Sequence, residues 1–195
     1  MFNSKIYWEN RYNNGQTSGN GSYGFLADYK SEVINNYISE NNIKSLLEYG
    51  CGDGNQLSMI DCQEVIGLDV SKTAIDKCIK LMPNREFHVL SGNKFINKKT
   101  DLLLSLDVIF HLVEDSVYEN YMNNIINHSS DHLIIYSANF DDSKTFGSHV
   151  RTRNFTNHKK LNENYMLIRV EKNKFPSTDH KMGSFSDWFF YRRKG

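Results

Sequence analysis

The sequence has two prolines, three cysteines and no excess of either charge sign among its 195 residues. So few prolines, with aromatics at 13%, exclude a linker-rich or disordered chain and point to a folded domain. Cys51, Cys62 and Cys78 are odd in number and contain no C-x-x-C pair, which argues against a disulfide framework and a zinc site and fits a reducing cytoplasm. Lys plus Arg and Asp plus Glu both number 23, so no overall field draws the chain onto nucleic acid or an anionic membrane. Charged recognition has to be local. No apolar run reaches the roughly eighteen residues of a membrane span, and the opening MFNSKIYWENRY lacks an apolar core of signal-peptide length. The expectation is one cytoplasmic domain over 1–195, a monomer or homodimer, with no metal, membrane or nucleic-acid partner.

Helical and strand periodicities alternate along the chain. In FLADYKSEVINNYISENN, Phe25, Tyr29, Val33 and Tyr37 recur every four residues, with Ile34 and Ile38 widening the stripe, which predicts a helix buried on that face. IKSLLEYG, EVIGLDV, REFHVL, DLLLSL and HLIIYS read as five short buried strands. Between them lie the helical patterns Ala74, Cys78, Met82, ended by Pro83, and Val117, Tyr121, Ile125. Alternation of this kind predicts a doubly wound α/β fold with a mostly parallel sheet, because right-handed crossovers place helices on both faces. ENYMLIRVEKN and DWFFYRR add two more strands as a C-terminal antiparallel hairpin, seven in all.

The stretch LLEYGCGDG ends the first strand in Gly50, Cys51, Gly52, Asp53 and Gly54. A turn so poor in side chains lets a ligand approach the backbone. The spacing departs from the dinucleotide G-x-G-x-x-G, since the third glycine is Gly54 and Asn55 stands where it is expected. Charge argues the same way: Glu48 and Asp53 would each repel a pyrophosphate by ~4 kcal/mol at ~4 Å and an effective dielectric of about 20. A cationic ligand fits, and S-adenosylmethionine (SAM) carries a sulfonium and an ammonium but no phosphate. Asp69 ends the second strand nineteen positions after Gly50, where its carboxylate can hold both ribose hydroxyls. The LSGN loop, with Gly92 and Asn93, borders the adenine, and Leu106 and Asp107 border the methionine part.

LLEYGCGDG followed by VIGLDVS resembles the first two motifs of the class I SAM-dependent methyltransferases, and the likeness runs from about Ile43 to Ser137. It implies that Gly50, Cys51, Gly52 and Gly54 wrap the methionine portion, that Asp69 holds the ribose, and that Val70 and Ser71 adjoin the adenosine. It also implies S-adenosylhomocysteine (SAH) as the product. Asn93 stands where the family commonly has an acid for the adenine amino group. YWENRY resembles a lead-in of several small-molecule methyltransferases, a cover over residues 1–24 in which Trp8 borders the cofactor and Arg11 pairs with the methionine carboxylate, Ser18 and Ser22 adding polar groups. Packing of Trp8 and Tyr12 on the sheet is the alternative.

The second substrate is read from three features. His111, in SLDVIFHLVEDSVYENYM, is either a general base or a histidine satisfied at a helix start. In SHVRTRNFT, His149, Arg151 and Arg153 alternate, so an extended segment over 139–195 would present them on one face, toward an anionic acceptor beside Tyr23 or toward water and Asp141 and Asp142. The expected reaction is methyl transfer to an oxygen of a small anionic metabolite, resembling phosphorylated or phosphoramidate precursors of surface polysaccharide. Nucleic-acid methylation, weakened by the absence of N-P-P-Y, and a non-catalytic SAM-binding protein are the other readings.

Overall fold

The computed structural model describes residues 2–90, 98–128, 130–142, 147–177 and 183–195. Its strands are β1 (Ser45–Tyr49), β2 (Glu64–Asp69), β3 (Glu86–Val89), β4 (Leu102–Leu106), β5 (His132–Ser137), β6 (Tyr165–Glu171) and β7 (Asp187–Arg193). They form one sheet in the order β3-β2-β1-β4-β5-β7-β6. The first five are parallel, and β7 returns antiparallel between β5 and β6. The helices are α1 (Ser4–Asn13), α2 (Gly24–Glu40), α3 (Asn55–Ser58), α4 (Lys72–Leu81), α5 (Asp115–Asn127) and α6 (Lys159–Asn164).

Strands β4 and β5 are buried along their whole length, which is why LLLSL and HLIIYS read as unbroken apolar runs rather than alternating ones. Successive side chains enter opposite cores. Leu46, Leu104, Ile134 and Trp188 meet Ile34, Tyr37 and Ile38 of α2 on one face. Leu47, Leu103, Leu133 and Phe189 meet Tyr121, Met122 and Ile125 of α5 on the other.

The buried stripe of α2 lies about one position round from the expected one: Leu26, Ala27, Lys30, Ser31, Ile34, Tyr37 and Ile38 are buried, while Phe25 is exposed. Phe25 instead packs edge-on against Phe175, a late segment of the chain, while Tyr29 meets both Phe175 and Trp188 of β7 and so still reaches the sheet. The N-terminal segment forms α1, capped by the Asn3 side chain, which accepts from Ile6 N at 2.9 Å. The cap residue is of the usual kind, but no apolar stripe follows it, since only Ser4 and Tyr12 of α1 are buried, so periodicity did not reveal this helix.

Strand order reverses between β1 and β4, both neighbours of the crevice that opens at their carboxyl ends, the place where open α/β sheets take ligands. Among the described residues no helix is long and apolar enough to cross a membrane, and no three His, Cys, Asp or Glu side chains gather as a metal site.

Candidate active site

The turn after β1 is tied to the end of β2 by its own backbone. Gly50 and Cys51 N–H groups both donate to the Leu68 carbonyl, at 2.7 and 2.9 Å, and Gly52 N–H donates to Asp69 Oδ2 at 3.0 Å. Asp69 Oδ1 accepts from Ser71 N at 2.9 Å. Ser71, fully buried, caps α4 by accepting from Ala74 N, so it orients Asp69 rather than facing the cavity.

The glycines are bare partly for a different reason from the one expected. Gly52 has φ +56, and a Cβ there would lie 2.2 Å from Ser18 Oγ and 2.8 Å from the Tyr12 hydroxyl. Gly54 has φ +80, and its Cβ would meet Cys78 Sγ and Met82 Cε at 2.9 Å. The space at Gly52 admits the N-terminal segment and that at Gly54 admits α4, so Gly54 lines no part of the cavity.

Asp53 likewise has a different role. Its carboxylate accepts from Ser18 N (2.9 Å), Ser18 Oγ (2.8 Å) and the Tyr23 hydroxyl (2.9 Å), and its own N–H donates to Ser18 Oγ at 3.0 Å. Asn55 Nδ2 donates to Ser22 O at 2.7 Å. These bonds latch the cover onto the glycine turn, and Tyr23 belongs to the latch, away from the acceptor position assigned to it. At its other end the cover is held by Ser4, whose N–H donates to Glu114 Oε1 at 2.8 Å, and by Thr73 Oγ1, which donates to Glu9 at 2.7 Å.

Beneath the cover lies a cavity of about 440 Å³, within the range of small-molecule sites. Of the residues singled out in the sequence, Trp8, Arg11, Glu48, Gly50, Cys51, Gly52, Asp69, Val70, Leu106, Asp107, His111 and His149 line it. Gly92 and Asn93 lie outside the described residues. Burial pushes the Glu48 carboxyl up to about 8, with Lys30 opposing and Asp69 and Asp107 reinforcing the shift. Burial also raises Asp69 to about 6, against the bonds from Ser71 and Gly52 N–H. Asp107, at φ +56, accepts from Lys30 Nζ at 2.8 Å and Ser186 Oγ at 2.7 Å.

One end of the cavity is walled by stacked rings. His111 and His149 lie 5.4 Å apart and nearly parallel, Tyr7 stacks on His149 at 5.0 Å, and Trp8 meets His111 edge-on at 4.9 Å. His111 Nδ1 faces the His149 carbonyl at 3.0 Å, and since a carbonyl only accepts, Nδ1 carries the proton and Nε2 keeps a free lone pair. Burial lowers the His111 pKa to about 4, so the ring is neutral near pH 7.

Arg151 and Arg153 do not join this wall. Both pair with Asp115, at 3.0 and 2.8 Å, and both donate to the Val113 carbonyl. Arg153 and Arg151 together hold the Asp115 carboxyl below its usual range. The charge expected to face an anionic acceptor therefore clamps the loop before α5, because those carbonyls and that carboxylate need donors. Lys30 and Gln56 were missed. A lysine at a core position of the α2 stripe, four before Ile34, was the available signal for the first.

Residues 47–125 match the family described as a methyltransferase domain. The match spans less than half of the chain. Its fold is that of the class I SAM-dependent enzymes, shared with solved structures of low sequence identity. The N-methyltransferase NodS from Bradyrhizobium japonicum WM9, in complex with SAH, superposes with a TM-score of 0.75 at 14% identity, covering 100% of both chains. Magnesium protoporphyrin IX methyltransferase (ChlM) from Synechocystis PCC 6803, with bound SAM, gives 0.69 at 14% identity over 100% of this chain and 99% of that one. The methyltransferase domain of bacterial-CtHen1-C gives 0.67 at 15%, covering 85% and 97%. No curated protein matches the sequence.

Replacing Gly52 by alanine tests the latch. The added Cβ must displace Ser18, so the cover opens, and trypsin is expected to cut after Arg11 at least tenfold faster than in the native chain. Unchanged cleavage would show that the turn and the cover do not depend on each other.

Proposed function

We propose that the chain transfers the methyl group of SAM to an oxygen of a small acceptor, with His111 receiving the acceptor's hydroxyl proton. The observation that carries the reading is the shared cavity: a neutral His111 with its Nε2 free lies in the same 440 Å³ space as Glu48, Asp69 and the glycine turn. SAM, when bound, supplies an electrophilic methyl group and leaves as SAH. Asp69 has a second lone pair on each oxygen for the ribose hydroxyls while the first accepts backbone N–H. Glu48 is placed for a cationic end, and Arg11, whose Nε donates to Thr17 O, keeps its terminal nitrogens for a carboxylate.

His111 Nε2 takes a proton as the acceptor oxygen attacks, becoming an imidazolium that the His149 carbonyl supports through Nδ1–H. Burial makes the ring a weak base, so it suits an acidic hydroxyl or an oxygen already ionised, for which no base is needed. A phosphorylated or phosphoramidate precursor of a surface polysaccharide is one such acceptor, though Arg151 and Arg153 are engaged by Asp115 and are not offered to it. The closed cover and the zero net charge support a small molecule over nucleic acid. Holding the oxygen near the methyl can contribute about 7–11 kcal/mol to the rate.

With an acceptor that supports SAH release, His111→Ala is expected to lower kcat at least 100-fold for a hydroxyl and leave SAH affinity within twofold. Equal loss of SAH binding would assign His111 to the structure of the site instead. The pH dependence of SAM binding follows from Glu48. In the ligand-free chain its carboxyl is protonated below about 8, and a cation binds the ionised form, so affinity should rise up to tenfold per unit from pH 6 to 8 and level off above. Calorimetry in buffers of different ionisation enthalpy should detect the released proton, and Glu48→Gln should abolish it. A flat profile in the native chain would remove Glu48 from the cation's surroundings.

A further inference from the structure

Four separate parts of the chain deliver rings to one end of the cavity. Trp8 comes from α1, Phe110 and His111 from the turn after β4, His149 from the segment after β5, and Phe185 from the approach to β7. The rings touch in succession: Trp8 meets His111 edge-on at 4.9 Å, His111 lies 5.4 Å from His149 and 4.5 Å from Phe110, and Phe110 meets Phe185 edge-on at 4.9 Å. Phe110 is buried, but the other four are only partly so while lining the cavity, which leaves ring surface for a ligand.

The charged side chains around these rings are engaged or solvated. Glu114 accepts from Ser4 N at 2.8 Å, and Arg151 and Arg153 are held by Asp115. Arg11, over the Trp8 ring at 5.6 Å, is the cation assigned above to the cofactor's carboxylate, and Lys5, also in the lining, is exposed to water on α1. A phosphate set against the rings would exchange its water for apolar surface, and one solvated ammonium returns little of that cost. A sugar fares no better, since each buried hydroxyl needs a partner and the His149 carbonyl already faces His111 Nδ1. What the rings complement is another flat ring, which can stack on one and meet the edge of the next.

We propose that the methyl acceptor is a phenol, its flat ring docked on the wall of Trp8, Phe110, His111, His149 and Phe185 and its hydroxyl directed to His111 Nε2. The assignment rests on the O-methylation reading above and narrows its acceptors from phosphorylated precursors to aromatic ones. Acidity points the same way. A phenol ionises at about pH 10, whereas an aliphatic hydroxyl lies near the roughly 16 of water, so a weak imidazole base suits the phenol far better. The phenolic oxygen bonds the methyl carbon as the sulfonium's carbon–sulfur bond breaks; sulfur keeps that electron pair and SAH leaves, while the hydroxyl proton passes to His111 Nε2 and then to water. The product is an aryl methyl ether.

The test measures SAH formation from SAM with phenol, with cyclohexanol, which has nearly the same size but no aromatic face, and with glucose 6-phosphate. The expected result is kcat/KM for phenol at least 20-fold above that for cyclohexanol, and no product from glucose 6-phosphate. Phe185→Leu, which keeps apolar bulk but removes a ring from the wall, is expected to raise KM for phenol at least fivefold while kcat stays within threefold and SAH affinity within twofold. Cyclohexanol matching phenol, an unchanged KM in Phe185→Leu, or equal weakening of SAH in that variant would each overturn the ring wall as an acceptor site. Should Phe185→Leu fail to fold, as judged by thermal unfolding, the comparison of phenol with cyclohexanol on the native chain decides alone. Silence from phenol on a chain that binds SAM would overturn the phenol assignment, and turnover of glucose 6-phosphate in its place would leave O-methylation standing. A native chain that binds no SAM would overturn the methyl-transfer reading itself, and the phenol with it.

Discussion

Three carboxyl groups, Glu48, Asp69 and Asp107, crowd the carboxyl edge of the sheet, with one buried cation, Lys30, among them. Placing charge in a low-dielectric interior costs several kcal/mol per ion unless partners replace the water, and each carboxyl is accommodated in its own way. Asp107 takes Lys30 and Ser186, Asp69 takes two backbone N–H groups, and Glu48, with one oxygen unpartnered, holds its proton instead. The ligand-free site is therefore short of positive charge. A pyrophosphate would worsen that shortage, whereas an ammonium and a sulfonium would relieve it.

The cover shares this electrostatic plan. Asp53, the fourth acid of the region, is saturated by Ser18 and Tyr23, and the bareness of Gly52 lets Ser18 sit against the turn. The glycine turn and the cover thus meet at one short piece of backbone. From the cover, Trp8 reaches the His111 edge and Tyr7 stacks on His149, so the order of the N-terminal segment also fixes these two rings.

Much of this was legible in the sequence because it depends on local pattern. All seven strands were legible as short strand patterns, although β3, read as buried, is an edge strand with only Phe87 buried, and β6 is exposed along most of its length; the ligand edge followed from their order, since Gly50, Asp69 and Asp107 lie at strand ends. What depends on long-range pairing was not legible. Alternation placed Arg151 and Arg153 on one face but could not show Asp115, 36 and 38 positions earlier, waiting for them. Phe25 looked like a core residue because its partner, Phe175, lies 150 positions away. Gln56 gave no signal, as a glutamine after a glycine turn is unremarkable until one of its two polar atoms is found satisfied and the other not. The 14% identity to NodS over the full length shows the same division: the sheet and its switch point tolerate nearly complete replacement of side chains.

The central claim is that the acidic turn selects a cationic adenosyl-sulfur compound over a phosphorylated dinucleotide. Calorimetric titration of the native chain with SAM and, separately, with NADH addresses it most directly. One-to-one binding of SAM with no heat from NADH is the expected result. Tight NADH binding with none from SAM would contradict the claim.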